Sequence, residues 1–184
     1  MQLTPAEAVA LPVTAAARAL LGMRLRSEIG GQPVELVLTE VEAYAAEGDP
    51  ASHSFRGRTA RNASMFGPPG TAYVYRSYGI HWCLNVATGN GAAVLLRGGE
   101  PVAGVEVIRR RRGRTDGLTD GPGKLAQALG VTGEHDGTSL LNGVVRLLPG
   151  TAAGDDVVVA TPRVGITRAT NLPWRFVLAR PVTG

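Results

Sequence analysis

One stretch of the sequence dominates the predicted fold, and it runs Val34-Glu35-Leu36-Val37-Leu38-Thr39-Glu40-Val41-Glu42-Ala43-Tyr44. It contains neither glycine nor proline, and it predicts a single long β-strand. Because side chains alternate between the two faces of a strand, one face is expected to carry Leu36, Leu38, Glu40, Glu42 and Tyr44. A face that starts apolar and ends in two carboxylates has two interpretations. The strand either leaves the core and ends in water, or holds a carboxylate beside an aromatic ring as a general base.

Shorter strands are predicted on both sides of this one. Their ranges are Met23 to Ile29, Thr71 to Tyr75, His81 to Thr88 and Ala92 to Arg97, with more short strands after Val144. Ser77, Tyr78 and Gly79 form the turn of one predicted hairpin, and Asn90-Gly91 is a strong hairpin signal for the next. The segment from Asp49 to Pro69 is rich in Gly, Pro, Ser and Arg, and it predicts a long loop of the kind that is usually functional.

Helix signals occur at the start of the chain and again after the strands. Thr4-Pro5-Ala6-Glu7 predicts a capped helix start, Pro12 is expected to divide the helical region, and Gly22 is expected to end it. Two more helices are predicted, at Val102 to Arg112 and from Gly121 to Gly130. The predicted fold class is α+β: a single compact domain over residues 1–184 with a curved, mainly antiparallel β-sheet, flanking helices and a protruding β-hairpin.

The composition limits the class of protein. The chain has 184 residues, of which 44% are hydrophobic, and this is enough for one domain with a real core. No window approaches the roughly 20 apolar residues of a membrane span, and the start of the sequence does not have the pattern of a secretory signal. Cys83 is the only cysteine, which excludes an internal disulfide and a cysteine-rich zinc site. A cytoplasmic protein is therefore expected.

The charged residues suggest a nucleic-acid partner without establishing one. The net charge is +4, and Lys124 is the only lysine, so arginine supplies all the other positive side chains. Arginine suits phosphate groups and base edges, but a GC-rich genome would also favour it. One arginine cluster lies in the long loop at Arg56, Arg58 and Arg61, and another is the run 109–112. Each is either a solvated face or a surface for backbone phosphates.

Tyrosines are concentrated in one hairpin. Tyr73 and Tyr75 are expected on one strand face, and Tyr78 lies at the turn. Cross-strand aromatic packing is the simpler interpretation. The alternative is a surface on which a base stacks, with a wedge at the hairpin tip that enters a duplex. Asn85 is disfavoured in the middle of a strand, so its side chain is expected to make a required hydrogen bond, either structural or to a base edge.

Together these motifs resemble those of the alkyladenine (3-methyladenine) DNA glycosylase family, with the features of a bacterial member. Each motif is weak alone, but the set covers residues 23 to about 178 in the same order. The matching stretches are Glu40-Val41-Glu42-Ala43-Tyr44, Ala51-Ser52-His53-Ser54, Arg61-Asn62, Met65-Phe66, Pro69-Gly70-Thr71-Ala72-Tyr73-Val74-Tyr75, Tyr78-Gly79, Cys83-Leu84-Asn85, Val94-Leu95-Leu96-Arg97, Glu100-Pro101, Gly121-Pro122-Gly123-Lys124-Leu125, Gln127-Ala128-Leu129, Arg163-Val164-Gly165 and Arg175-Phe176.

The resemblance implies an activity and a role for individual residues. Glu42 corresponds to the general base that deprotonates the attacking water, while Arg97 and the backbone of Val164 correspond to groups that hold this water. The implied enzyme acts on double-stranded DNA that contains damaged purines. It flips an alkylated or deaminated purine out of the helix, hydrolyses its N-glycosidic bond, and needs neither metal nor cofactor. It is expected to work as a monomer in base excision repair.

The same resemblance implies a pocket for the flipped base. Tyr44 corresponds to one wall, and His53 and Tyr75 correspond to the other. Asn85 corresponds to a residue that crowds the amino group of guanine and so helps to exclude normal guanine. Tyr78 corresponds to the wedge that fills the gap in the duplex, and the hairpin that carries it corresponds to one in the minor groove.

Residue chemistry narrows the reaction further. A glycosylase that also cuts the backbone needs an amine for a Schiff base, and only Lys124 and the N-terminus could supply one. Lys124 is better explained as a phosphate contact, as is Arg61. Water is therefore the expected nucleophile and an intact abasic site the expected product. The alternative is a non-catalytic module that binds damaged DNA. A zinc deaminase is excluded by the single cysteine, and a hydrolase of free nucleosides would have no use for Tyr78.

Overall fold

The long strand predicted from the sequence lies at the centre of the sheet. The computed structural model describes residues 3–179, and in it this strand, β2, spans Val34–Tyr44 as predicted. The other strands are β1 (Arg24–Ser27), β3 (Ala72–Ser77), β4 (His81–Gly89), β5 (Ala92–Ala103), β6 (Val145–Leu148), β7 (Val158–Thr161) and β8 (Arg175–Leu178). The helices are α1 (Pro5–Val9), α2 (Val13–Leu20), α3 (Val105–Arg112) and α4 (Pro122–Leu129).

Strand β2 pairs with three other strands. Strand β5 occupies one edge of β2, while β1 and β8 share the other edge, with β1 beside the first part and β8 beside Glu40–Glu42. The strand order is β3-β4-β5-β2-β1-β6, with β8 and β7 added beside β2. Each of these pairings within residues 3–179 is antiparallel, and the sheet curls into a half-barrel. The predicted α+β class and curved antiparallel sheet are confirmed.

The predicted distribution of side chains along β2 is wrong in one respect. Leu36 and Leu38 lie in the core, but farther along the strand the core residues are Val41 and Ala43. The register with β5 shifts on both sides of Glu40, where the strand is irregular. An irregularity of this kind reverses which residues face inward. Glu40, Glu42 and Tyr44 therefore share a face with one another but not with the two leucines.

Strand β5 is longer than predicted, and α3 is shorter. The sequence prediction ends the strand at Arg97, but the strand continues through Gly98-Gly99 to Ala103. A side chain at Gly99 would meet the carbonyl oxygen of Val37 at 3.0 Å, so glycine here permits close approach of β2 rather than a turn. Helix α3 begins at Val105 instead of Val102, after Gly104 with φ +71°.

The helices cover the core side of the sheet, and their sequence signals are confirmed. Thr4 and Glu7 form the capping box of α1, and Pro12 separates α1 from α2. Helices α2 and α4 contribute buried leucines and alanines to the same cluster as the core residues of β2. No helix within residues 3–179 is both long enough and apolar enough to cross a membrane.

The hairpin of β3 and β4 carries the tyrosine-rich segment and ends in a tight turn. The N–H of Ile80 donates to the carbonyl of Ser77 at 3.0 Å, and Tyr78 and Gly79 between them have φ of 51° and 66°. A tyrosine rarely adopts positive φ, so its backbone is strained. Its side chain is 87% exposed, which places an aromatic ring in solvent at the tip. That this hairpin protrudes from the body of the domain stays a prediction.

Candidate active site

Glu42 lies fully buried on β2, beneath the floor of a cleft. Its Oε1 accepts a hydrogen bond of 2.7 Å from the backbone N–H of Val164, and its Oε2 accepts one of 2.7 Å from the hydroxyl of Tyr44. The Nε atom of Arg97 lies 3.6 Å from Oε1. The alternation of β2 explains the Tyr44 contact, because residues two apart share a strand face. Every one of these partners is a donor, which suits a carboxylate that acts as a base.

A second carboxylate fixes Arg97. Glu40 Oε1 accepts hydrogen bonds from Arg97 Nε at 2.9 Å and from Arg175 Nε at 2.7 Å. Burial favours a raised pKa for Glu40, but the hydrogen bonds from Arg175 and Arg97 outweigh it and lower this pKa. Burial likewise works against the charge on Arg97, but Glu42 and Glu40 outweigh it and raise the pKa of Arg97. The two carboxylates and two guanidinium groups thus form one network.

Tyr44 lines the cleft, and its ring is backed by a buried arginine. The guanidinium carbon of Arg163 lies 4.6 Å from the centre of the Tyr44 ring and 5.3 Å from that of Trp174. Arg163 also forms a two-pronged ion pair with Asp49, with both distances at 2.7 Å. Burial, followed by the charge of Glu42, raises the pKa of the Tyr44 hydroxyl well above its usual value, so Tyr44 acts as a donor to Glu42.

Three aromatic side chains form another part of the cleft wall. The His53 ring contacts the Tyr75 ring edge-on with centres 4.6 Å apart, and the rings of Tyr73 and Tyr75 are stacked at 5.6 Å. His53 Nδ1 lies 3.0 Å from the Tyr73 hydroxyl. Burial, with a contribution from Arg61, lowers the pKa of His53. Near neutral pH, His53 therefore presents a neutral imidazole to the cleft.

Two asparagines hold this wall in position. Asn62 Nδ2 donates at 3.0 Å to the carbonyls of His53 and Gly57, so it fixes the loop that carries the histidine. Asn85, buried on β4, donates from Nδ2 to the carbonyl of Tyr73 at 3.1 Å. The expected hydrogen bond of Asn85 is thus a structural one, while its side chain also lines the cleft.

The cleft has a volume of about 710 Å³ and a positively charged lining. Among residues 3–179, no aspartate or glutamate lines the cleft, whereas five arginines do: Arg56, Arg61, Arg76, Arg97 and Arg168. Tyr78 at the hairpin tip lies along the same opening. A cleft with this charge attracts a polyanion, and it holds the buried Glu42 below its floor.

The structure brings most of the predicted site residues together. Eight of the predicted residues line the cleft: Tyr44, His53, Arg61, Tyr75, Tyr78, Asn85, Arg97 and Val164. Glu42 lies below them and contacts Val164. Lys124 is the exception, since it pairs with Asp120 at 2.9 Å and lies outside the cleft lining. In the 109–112 run, Arg111 and Arg112 bind backbone carbonyls, so the run is partly structural.

Sequence reasoning assigned no role to three residues that shape this site. They are Asp49, Glu40 as the anchor of two arginines, and Arg163, which was noted only as part of a matching stretch. Arg163 and Asp49 are 114 residues apart, and no local pattern links them. The only signal was that Asp49 opens the long loop and Arg163 directly precedes Val164.

Comparison with known proteins finds one family over nearly the whole chain. The family model described as "Methylpurine-DNA glycosylase (MPG)" matches residues 7–181. A protein of Granulibacter bethesdensis is 52% identical over 93% of this chain and 82% of its own length. Proteins of Nitrosospira multiformis and Chlorobaculum parvum are 48% and 44% identical, over 89% and 96% of this chain and 83% and 88% of their own lengths. All three carry the name "Putative 3-methyladenine DNA glycosylase".

These matches identify the chain as a DNA glycosylase, a hydrolase that acts on N-glycosyl bonds in DNA repair. The match covers nearly the whole chain. The chain belongs to the methylpurine-DNA glycosylase family.

Proposed function

We propose that this protein is a monofunctional DNA glycosylase that flips alkylated or deaminated purines out of duplex DNA and hydrolyses their N-glycosidic bonds with a water activated by Glu42. The observation that carries the proposal is a fully buried carboxylate, bound by Val164 and Tyr44 and placed under an aromatic, arginine-lined cleft. Burial of a carboxylate is costly, so a site that maintains it at the floor of a cleft suggests a catalytic purpose.

The cleft wall suits a flat ring taken out of the helix. Tyr44 provides one aromatic surface, and the His53–Tyr75 pair provides another. Base stacking on such side chains contributes on the order of 1–3 kcal/mol per base. This offsets the few kcal/mol that a base loses when it leaves the stack. Tyr78, exposed at the hairpin tip, would fill the gap and slow the return of the base.

In the reaction, Glu42 accepts a proton from water as the water oxygen bonds to C1′ of the deoxyribose. The bond between C1′ and the purine nitrogen breaks, and its electron pair leaves with the base. The carboxylate also stabilises the positive charge that develops on the sugar. A purine with a cationic ring, such as 3-methyladenine or 7-methylguanine, leaves as a neutral molecule and needs no further proton. A neutral lesion such as hypoxanthine leaves as an anion, which takes up a proton from solvent water. Asn85 lines the pocket, and we assign to it the exclusion of the amino group of guanine.

Water must reach a carboxylate that has no exposed surface in this structure. The two hydrogen bonds to Glu42 are 2.7 Å long, whereas the Arg97 Nε atom is 3.6 Å away. Because the Arg97 contact is the longest of the three, we expect water to reach Oε1 on the Arg97 side, by a shift of Arg97 that also loosens its 2.9 Å hydrogen bond to Glu40. Arg97, which also lines the cleft, then serves as a donor to that water.

The product is an intact abasic site. Lys124 is the only lysine, and it is paired with Asp120 outside the cleft lining, so Schiff-base chemistry has no lysine in the site. The substrate is double-stranded DNA, whose phosphates Arg61 and the other cleft arginines would bind. We expect a monomer that acts on DNA in the cytoplasm.

Single-turnover base release tests the proposal. Duplexes with one hypoxanthine or one ethenoadenine, and a duplex treated with a methylating agent, are incubated with excess enzyme, and abasic sites are revealed by mild alkali. Glu42→Gln should lower the rate by about 10²–10⁴-fold while DNA binding persists. Glu35→Gln is the matched control, because Glu35 is also buried on β2 but pairs with Arg24 and Arg26 instead of contacting the cleft residues Tyr44 and Val164. It should retain the wild-type rate.

The same experiment identifies the alternative. If wild type binds these duplexes but releases no base from any of them, the protein is a damage-binding module. If wild type and Glu42→Gln release bases equally fast, another group activates the water.

A further inference from the structure

Arg163 and Asp49 form an unusual ion pair. Among the ion pairs within residues 3–179, it alone has no exposed surface on either side chain. The two nitrogens at the end of the Arg163 guanidinium donate to the two oxygens of Asp49, each at 2.7 Å. This fork-to-fork geometry fixes the plane of the guanidinium as well as its position.

The arginine side of this pair contacts the catalytic strand directly. Arg163 Nη1 also donates at 2.9 Å to the carbonyl of Ala43, the residue between Glu42 and Tyr44. Its guanidinium lies against the Tyr44 ring at 4.6 Å, a distance at which a cation is attracted to an aromatic face. The next residue along the chain, Val164, donates its N–H to Glu42. Arg163 therefore contacts the backbone beside Glu42 and the ring of Tyr44, and it directly precedes the residue whose amide binds the carboxylate.

Asp49 binds the backbone of the loop that leads to His53, which is part of the other aromatic wall. Asp49 Oδ2 accepts the N–H of Ala45 at 3.1 Å, and Oδ1 accepts the N–H of Ala51 at 3.2 Å. These contacts fold the segment that leads from Tyr44 to His53. The ion pair thus lies between the elements that carry the two aromatic walls.

Stability does not explain this arrangement. Replacing a buried ion pair by apolar groups of similar size is often neutral or stabilising, because both charges lose their hydration. Within residues 3–179, the Nε atom of Arg163 is buried and has no hydrogen-bond partner, which adds a further cost. Groups that are buried at such a cost are characteristic of sites where function requires fixed geometry.

We propose that Arg163 and Asp49 are a positioning pair for the active site: they fix the Tyr44 ring and the Val164 amide, and through them Glu42, without touching the substrate. This inference rests on the proposed glycosylase function. It predicts that loss of the pair slows the chemical step, whereas DNA binding through the cleft arginines is retained. A misplacement of about 1 Å is enough to slow a reaction by roughly 100-fold.

Variants of the pair test this inference. Arg163→Met should lower the single-turnover rate about 100-fold with little change in the Kd for DNA. Arg163→Lys keeps the charge but loses the planar fork, so its rate should lie between those of wild type and Arg163→Met. The double variant Asp49→Asn/Arg163→Gln leaves no unpaired buried charge and provides a second test if Arg163→Met does not fold. Its rate should also fall.

Arg111→Met is the matched control. Arg111 is outside the cleft lining and donates to the carbonyls of Ala128 and Ile29, so its loss should lower the melting temperature without changing the rate. Folding of each variant is checked by circular dichroism at the assay temperature. Wild-type rates in folded Arg163→Met, or in the folded double variant, would overturn the positioning role. Failure of wild type itself to release a base would instead overturn the proposed function.

Discussion

The carboxylate of Glu42 accepts a hydrogen bond of 2.7 Å from the backbone N–H of Val164, a residue 122 positions later in the chain. Tyr44, only two residues from Glu42, binds the other carboxylate oxygen at 2.7 Å. The Glu42 carboxylate is therefore held by one contact from a neighbour in sequence and by one from a distant part of the chain. The two contacts can be tested separately because one comes from a side chain and the other from the backbone.

Tyr44→Phe removes the side-chain donor but keeps the aromatic wall. A hydrogen bond to a charged group contributes about 1.5–3 kcal/mol, so we expect the single-turnover rate to fall by roughly 10- to 100-fold. The Kd for duplex DNA should be unchanged, since the ring remains. Quench-flow or manual sampling of base release measures the rate, and an unchanged rate would show that the hydroxyl does not support Glu42.

Tyr78 should be needed for duplex DNA but not for folding. Its φ of 51° is unfavourable for tyrosine, so Tyr78→Gly and Tyr78→Asn should retain the wild-type free energy of unfolding within about 1 kcal/mol. Both variants should release bases from a duplex more slowly than wild type. A lesion in single-stranded DNA provides the control, because it leaves no gap to fill. An equal loss on single and double strands would contradict the wedge role.

The salt dependence of binding should identify the arginines that contact phosphates. Arg61→Ala, Arg76→Ala and Arg168→Ala should each reduce the slope of log K against log salt concentration by about 1. Arg110→Ala, on α3 and outside the cleft lining, should leave the slope unchanged. Lys124→Ala tests the sequence prediction that this lysine also contacts DNA. Fluorescence anisotropy at several salt concentrations gives these slopes.

The pH dependence of stability should report on His53. Partial burial of the ring, with help from Arg61, lowers its pKa in the folded state below the ordinary value of 6.5, while the residue as a whole stays exposed at the cleft surface. Between that lowered pKa and about pH 6.5, the unfolded chain binds more protons than the folded chain. The stability that neutral His53 contributes is therefore fully present above about pH 6.5 and is lost as the pH falls towards the lowered pKa. Wild type should therefore lose more stability than His53→Asn between about pH 7.5 and 5.5. Urea titrations at both pH values measure this difference in stability. Equal losses in wild type and His53→Asn would contradict the prediction.

Much of the fold could be predicted from local patterns. The bounds of β2, the cap of α1 and the hairpin turn at Tyr78 all follow from signals within a few residues. The face of β2 that joins the core was mispredicted beyond Leu38, because the irregularity depends on pairing with the glycines of β5. Those glycines resemble a turn until the partner strand is known.

The site was predictable only in part, for a similar reason. That Glu42 and Tyr44 share a face follows from strand alternation, and the tyrosines of β3 follow from the same rule. The partners that arrive from distant positions, such as Arg163 for Asp49 and Arg175 for Glu40, leave no local pattern. These long-range partners determine the geometry of the site. Matching motifs therefore identify the candidate residues, but they do not reveal the contacts that hold these residues in place.

The central position of β2 links catalysis to completion of folding. The strand that carries Glu42 is hydrogen-bonded by β1, β5 and β8, and the carboxylate itself is held from the last part of the chain. A partly synthesised or partly unfolded copy lacks at least one of these supports. With the proposed role of Glu42, we therefore expect a copy in which these supports have not docked to release no bases.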